Sequence, residues 1–141
     1  MKSSGITGSR LFVPSLLVIA TAAFADDFPK FRPGLWEFKR TIEGARGTTK
    51  PLTSELKECT DPTLTFTKRG ELPGCKLSPM TRKGNTYTFT ADCKIQGVDV
   101  HSGSATVVES DSAYKLTVET TAGDRHTKEV LVAKRIGDCK Q

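Results

Sequence analysis

The chain has little of what acid–base or metal chemistry requires. It holds only two histidines, His101 and His126. It has no Gly-x-Ser-x-Gly string to form a nucleophile elbow, and no Cys-x-x-Cys pair to hold zinc or to lower a thiol pKa. These absences argue against a serine-hydrolase elbow, a zinc knuckle and a dithiol redox centre, and no cofactor or metal is expected. There is also no internal repeat and no low-complexity linker. The longest apolar run falls short of the roughly 20 residues a bilayer-spanning helix needs.

That run has another use. Lys2 and Arg10 give a basic start, an apolar stretch from Leu11 to Ala23 follows, broken by Pro14, and Ala23-Phe24-Ala25 supplies the small residues that a signal peptidase reads. Residues 1–25 are therefore expected to be a signal peptide, cleaved between Ala25 and Asp26. Residues 26–141 then form a single β-rich domain in the periplasm. No cysteine stands at the cleavage point, so neither a lipid anchor nor a membrane span is expected on the mature chain. Losing Lys2 and Arg10 leaves 19 basic against 16 acidic residues, a net charge of +3. That balance is weakly attractive to anionic envelope surfaces and is not a nucleic-acid signature.

Along the mature chain, short alternating segments are separated by turn residues. Phe28 to Gly34 is too rich in proline for a helix or a central strand and reads as an extended lead-in, with a turn at Pro33-Gly34. From Leu35 to Ile42 the apolar Trp36, Phe38 and Ile42 share one face, and Glu37 and Lys39 the other, the pattern of a half-buried strand. Gly44 to Lys50 is a polar loop, and Leu52 to Cys59 a weaker strand candidate. Asp61-Pro62 suits the start of a short helical turn, because proline is tolerated at a first helical position. The second half is clearer. Tyr87, Phe89, Ala91 and Cys93 alternate with threonines and Asp92, and further strands run from Val98 to Glu109, Tyr114 to Thr120 and His126 to Ile136. Breaks at Gly97, Ser110-Asp111-Ser112 and Thr121 to Asp124 fit consecutive hairpins. The expected fold is mainly β: an antiparallel meander forming a curved sheet, half-barrel or small barrel with two disulfides.

Four cysteines, Cys59, Cys75, Cys93 and Cys139, all lie downstream of the export signal, and an even count in an exported chain is the usage of structural disulfides. Spacing alone leaves three pairings open. A hairpin register chooses among them. If Lys76–Arg82 pairs with Thr86–Asp92 around a turn centred on Gly84, opposed residue numbers sum to 168 and Cys75 faces Cys93, which leaves Cys59 for Cys139. Pro79 within that hairpin would confine its strand to a sheet edge.

Two constellations remain. Asp99 and His101, two apart on a strand, share a face and could serve as a ligand pair or as a carboxylate-oriented base. An exposed polar face is the favoured explanation, since no third ligand or nucleophile joins them at a legible distance. Trp36 is expected to be a core anchor, because Phe38 and Ile42 lie on its face. The basic pairs Lys39-Arg40, Lys68-Arg69, Arg82-Lys83 and Lys134-Arg135 are scattered and read as solvated edges and turns.

Arg32-Pro33-Gly34-Leu35-Trp36-Glu37, the Cys59-Thr60 pair, the Cys75-to-Cys93 hairpin and the closing Gly137-Asp138-Cys139 together resemble the exported bacterial proteins grouped as domain-of-unknown-function family 3617. The resemblance runs from about Phe31 to Cys139, and Pro-Gly-Leu-Trp-Glu is its most specific element. It implies export and this cysteine arrangement. It implies no activity, so no catalytic or binding residue is carried over. The short polar loop at Gly44–Lys50 stands where many members have a longer methionine- and proline-rich insertion, and any role of that insertion would be missing here. The expected function is a non-enzymatic binding or interaction module with an envelope protein or a small molecule as partner. The alternatives are an inhibitor of an envelope hydrolase, a carrier of a small apolar ligand, and, last, a hydrolase built on Asp99 and His101.

Overall fold

The computed structural model describes residues 27–140; the expected signal peptide and its cleavage point at Ala25 and Asp26 lie outside them. Eight strands build one antiparallel sheet: β1 Gly34–Glu43, β2 Leu52–Thr60, β3 Cys75–Leu77, β4 Thr81–Lys83, β5 Thr86–Ile95, β6 Val98–Ser110, β7 Ala113–Ala122 and β8 Arg125–Gly137. A short helix, α1 (Pro62–Thr67), and a 3-10 turn over Lys68–Glu71 connect the halves. The strand order is β2-β1-β8-β7-β6-β5-β3, with β4 also on β5. The mainly β, antiparallel expectation holds, but the sheet is open, so the small-barrel alternative is not realised. Its two edges are β2 at one end and the β3/β4 pair at the other.

Local chemistry explains the hairpins. Gln96 and Gly97 join β5 to β6 and both have positive φ, 50° and 78°, the backbone of a tight hairpin turn whose twist matches that of the strands. From β5 to β8 the chain is a plain meander; then β8 returns to pair with β1 through nine partner positions from Leu35↔Gly137 to Glu43↔Lys128. The chain's first strand thus closes onto its last, and β2 is left outermost.

One register expectation needs correction. Cys75↔Cys93, Lys76↔Asp92 and Leu77↔Ala91 pair as expected, but the pairing then shifts by one residue to Thr81↔Thr88, Arg82↔Tyr87 and Lys83↔Thr86. The single strand Lys76–Arg82 is therefore two, separated at Ser78-Pro79-Met80. Pro79 has no N–H to give to the ladder, and the Ser78 hydroxyl compensates by accepting from the Thr90 N–H at 2.8 Å. The turn foreseen at Pro33-Gly34 is also absent: the chain runs from the extended lead-in directly into β1.

The core sits on one face of the sheet, under the lead-in and α1. Asp61 caps the helix, its Oδ1 accepting from the Thr63 N–H at 3.0 Å. Thr63 in turn fixes the lead-in: its hydroxyl accepts from the Phe31 N–H at 2.9 Å and donates to the Phe31 carbonyl. Phe31 is thereby held against Tyr114, with ring centroids 4.6 Å apart, and edge-on to Trp36 at 5.8 Å. Trp36 is fully buried and its indole N–H donates to the Arg32 carbonyl at 3.0 Å, which satisfies the one polar atom that burial would otherwise strand.

Candidate functional site

A face that is only half covered leaves a cleft where the cover ends. Between α1 and the β2-β1-β8 end of the sheet lies a cavity of about 360 Å³ lined by Phe38, Leu56, Tyr114 and Leu131, with Pro62 and Thr65 of α1 at its margin. Strand alternation places these side chains together: Leu56 opposes Phe38, Phe38 opposes Ala133, and Ala133 opposes Tyr114. The rest of the lining is polar: Ser54, Glu58 and Thr60 along β2, and the charged pair Arg40 and Glu129. Arg40 donates two hydrogen bonds to Glu129, Nε to Oε1 and Nη2 to Oε2, both at 2.7 Å. That fork with Glu129 raises the Arg40 pKa above its ordinary value, against a small opposing effect of burial. Two of the five guanidinium N–H donors are used by the carboxylate, so others remain for a ligand's polar group. The site can hold an apolar body and anchor a polar end.

Two wider, shallower concavities lie on the sheet. One, of about 610 Å³, contains Asp92, Asp99 and His101. There the carboxylate against His101 belongs to Asp92, its cross-strand partner, with Oδ1 2.6 Å from the imidazole Nδ1. Asp99 instead faces Lys94 at 3.2 Å. All four side chains are more than half exposed, and among the described residues no group of three or more His, Cys, Asp or Glu is placed to hold a metal ion. His126 stands near the Thr121 hydroxyl at the β7–β8 turn.

The basic pairs are more than solvated edges, because one arginine in each has a specific partner. Besides Arg40, the Arg69 guanidinium lies over the Phe28 and Phe89 rings, at 5.1 and 4.9 Å from their centroids. Arg82 meets Asp27 at 2.6 Å and lies over Tyr87. Arg135 donates from Nε to the Pro33 carbonyl at 3.0 Å and pairs with Asp138. Of the cleft residues, Glu129, Leu56 and Leu131 were not singled out from the sequence, and Arg40 was read only as part of a solvated basic pair. A signal for Arg40 existed: it continues the Trp36, Phe38 series at the next alternate position, which sets an arginine on the core face.

The cysteines stand at the two edges of the sheet. Cys75 is bonded to Cys93, tying β3 to β5, and Cys59 is bonded to Cys139, tying β2 to the segment after β8. Two intrachain disulfides with no free cysteine are the usage of a chain that folds in an oxidising compartment. Among the described residues no helix is long and apolar enough to cross a membrane.

Arg32 to Glu37, the string on which the family resemblance chiefly rested, lies at the start of this core. The sequence model of the family described as protein of unknown function (DUF3617) matches residues 31–139. The chain belongs to the DUF3617 family. In this DUF3617 protein the string has a physical reading: Pro33 accepts from Arg135, Gly34 admits it, Trp36 fills the core and Glu37 reaches Lys57 at 3.6 Å. No curated protein and no solved structure matches the chain.

Proposed function

We propose that this DUF3617 protein is a non-enzymatic binding module of the bacterial envelope, exported to the periplasm, which takes a small amphipathic molecule in the cleft beside α1. The observation that carries the reading is the pairing of an apolar wall, Phe38, Leu56, Tyr114 and Leu131, with the Arg40–Glu129 fork in one cavity. Small-molecule sites are mostly apolar and orient their ligands through a few placed polar groups. The cavity's volume is at the lower end of the roughly 300–1,000 Å³ range of such sites, which suits a ligand with one or two rings or a short chain. The disulfides support placement outside the cytoplasm, and the basic start with its apolar run supports the export route.

The experiment is a fluorescence titration with 1-anilinonaphthalene-8-sulfonate, an apolar ring system bearing an anion, alongside native mass spectrometry of protein purified from its own host. Saturable one-site binding by the wild type, lost on Thr65→Trp, which fills the cleft mouth from α1, is the expected result. Equal binding by wild type and variant, together with no small molecule retained on native purification, would overturn the assignment.

A further inference from the structure

The two edges of the sheet are treated differently. At one end β3 and β4 are three residues each, broken at Pro79, and carry Lys76, Arg82 and Lys83. Short strands, proline and basic side chains are the usual devices that stop an edge from pairing. At the other end β2 runs nine residues without a bulge against β1, is pinned at its far end by the Cys59–Cys139 bond, and holds no proline. Eight of its nine residues are exposed, Leu56 at 57% and Leu52 at 50%, and no described strand pairs with its outer side. A single lysine, Lys57, could guard it, but Glu37 already lies 3.6 Å from that ammonium.

We propose that the outer edge of β2 pairs antiparallel with β2 of a second copy of this chain, in the register that sets Leu56 against Leu56. A two-fold axis normal to the sheet keeps each face continuous and makes opposed residues reciprocal. With Leu56 on the axis, Glu55 opposes Lys57 of the second copy, twice over. Within one copy Lys57 already opposes Glu37, and Glu55 opposes Lys39; the Lys39–Glu55 and Lys57–Glu37 pairs are both 3.6 Å apart. The dimer therefore extends an alternating ladder: Glu37, Lys57, then Glu55 and Lys39 of the second copy. On the other face it joins the Phe38–Leu56 strip to its own image. Moving the axis to a neighbouring residue, a relative slide of two residues, destroys this, because centring on Glu55 opposes two carboxylates and centring on Lys57 opposes two ammonium groups. Like charges directly opposite are destabilising. The occupant is therefore a second copy, because β2 is complementary to itself.

The test is sedimentation equilibrium of the disulfide-intact protein over a range of concentrations. The wild type should be a concentration-dependent dimer. Glu55→Lys and Lys57→Glu should each weaken dimerisation by about tenfold or more, since each sets two like-charged pairs opposite one another. An equimolar mixture of the two variants should associate again, because each copy then presents the opposite charge to the other. Unchanged far-UV circular dichroism and disulfide content establish that the variants are folded. A wild type that stays monomeric at its solubility limit overturns the proposal, and so does a dimer that neither variant weakens. Protection of the β2 amides from exchange in a monomer would assign the edge to another segment of the chain and overturns it equally. The Thr65→Trp cleft variant leaves this edge untouched, so failure of either proposal can be read separately.

Discussion

Gly34 and Arg135 approach so closely that a β-carbon on Gly34 would stand 2.6 Å from Arg135 Nε and 2.6 Å from the Gly137 carbonyl oxygen. The arginine cannot yield easily, since it donates to Pro33 and pairs with Asp138, and the carbonyl is backbone. Gly34→Ala is thus expected to cost about 1–3 kcal/mol through displacement of β1 from β8, at a φ of 156° that alanine rarely adopts. Urea denaturation followed by Trp36 fluorescence measures it. Trp36 is two residues away, so the folded baseline should also shift. A midpoint equal to wild type would mean that β1 and β8 are not packed as described.

The disulfides differ in the length of chain they close, 80 residues for Cys59–Cys139 and 18 for Cys75–Cys93. In the loop-entropy account, replacing both partners by serine costs about 4.5 kcal/mol for the first and about 3 kcal/mol for the second. Chemical denaturation of Cys59→Ser/Cys139→Ser and Cys75→Ser/Cys93→Ser should therefore rank the first as the more damaging. The reverse ranking would show that edge β3 contributes more to the fold than the tie between β2 and the C-terminal segment.

How far the sequence was legible follows from the range over which each signal acts. Strand alternation from Tyr87 to Cys93 and the break at Gly97 are local, and both appear in the structure. The Cys75–Cys93 opposition was reached through a single hairpin register, although the shift at Pro79 lies within that hairpin and displaces the pairs nearer the turn by one residue. Pairing of β1 with β8 joins residues about a hundred positions apart and leaves no local mark. The cleft was hidden for the same reason: the alternation sets Arg40 on the face of Trp36 and Phe38, but its partner Glu129 is 89 residues away. Asp99 and His101 illustrate the converse error, since sharing a face in one strand does not make two residues partners. The cross-strand neighbour, Asp92, is closer.

His101→Ala should be nearly silent for stability. The His101–Asp92 pair is exposed on both sides, and exposed ion pairs contribute about 0–1 kcal/mol. A urea midpoint within that equivalent of wild type is expected, together with an unchanged biological phenotype. Loss of the phenotype in a variant of wild-type stability would instead revive a chemical role for His101.

Tyr114 gives the fold an alkaline limit. It is 4% exposed among Phe31, Trp36 and Phe66, and burial pushes its phenol pKa from 10.0 up to about 12. The folded state therefore holds the proton more tightly than the unfolded chain does. That contribution is fully present below pH 10 and is lost as the pH rises from 10 through 12, because the unfolded tyrosine ionises while the folded one resists. Two units of difference correspond to about 2–3 kcal/mol. Denaturation midpoints measured from pH 9 to 12 should fall across that window, and Tyr114→Phe, which has no proton to lose, should flatten the decline. A variant whose midpoint fell as steeply as that of wild type would place the alkaline sensitivity elsewhere in the chain.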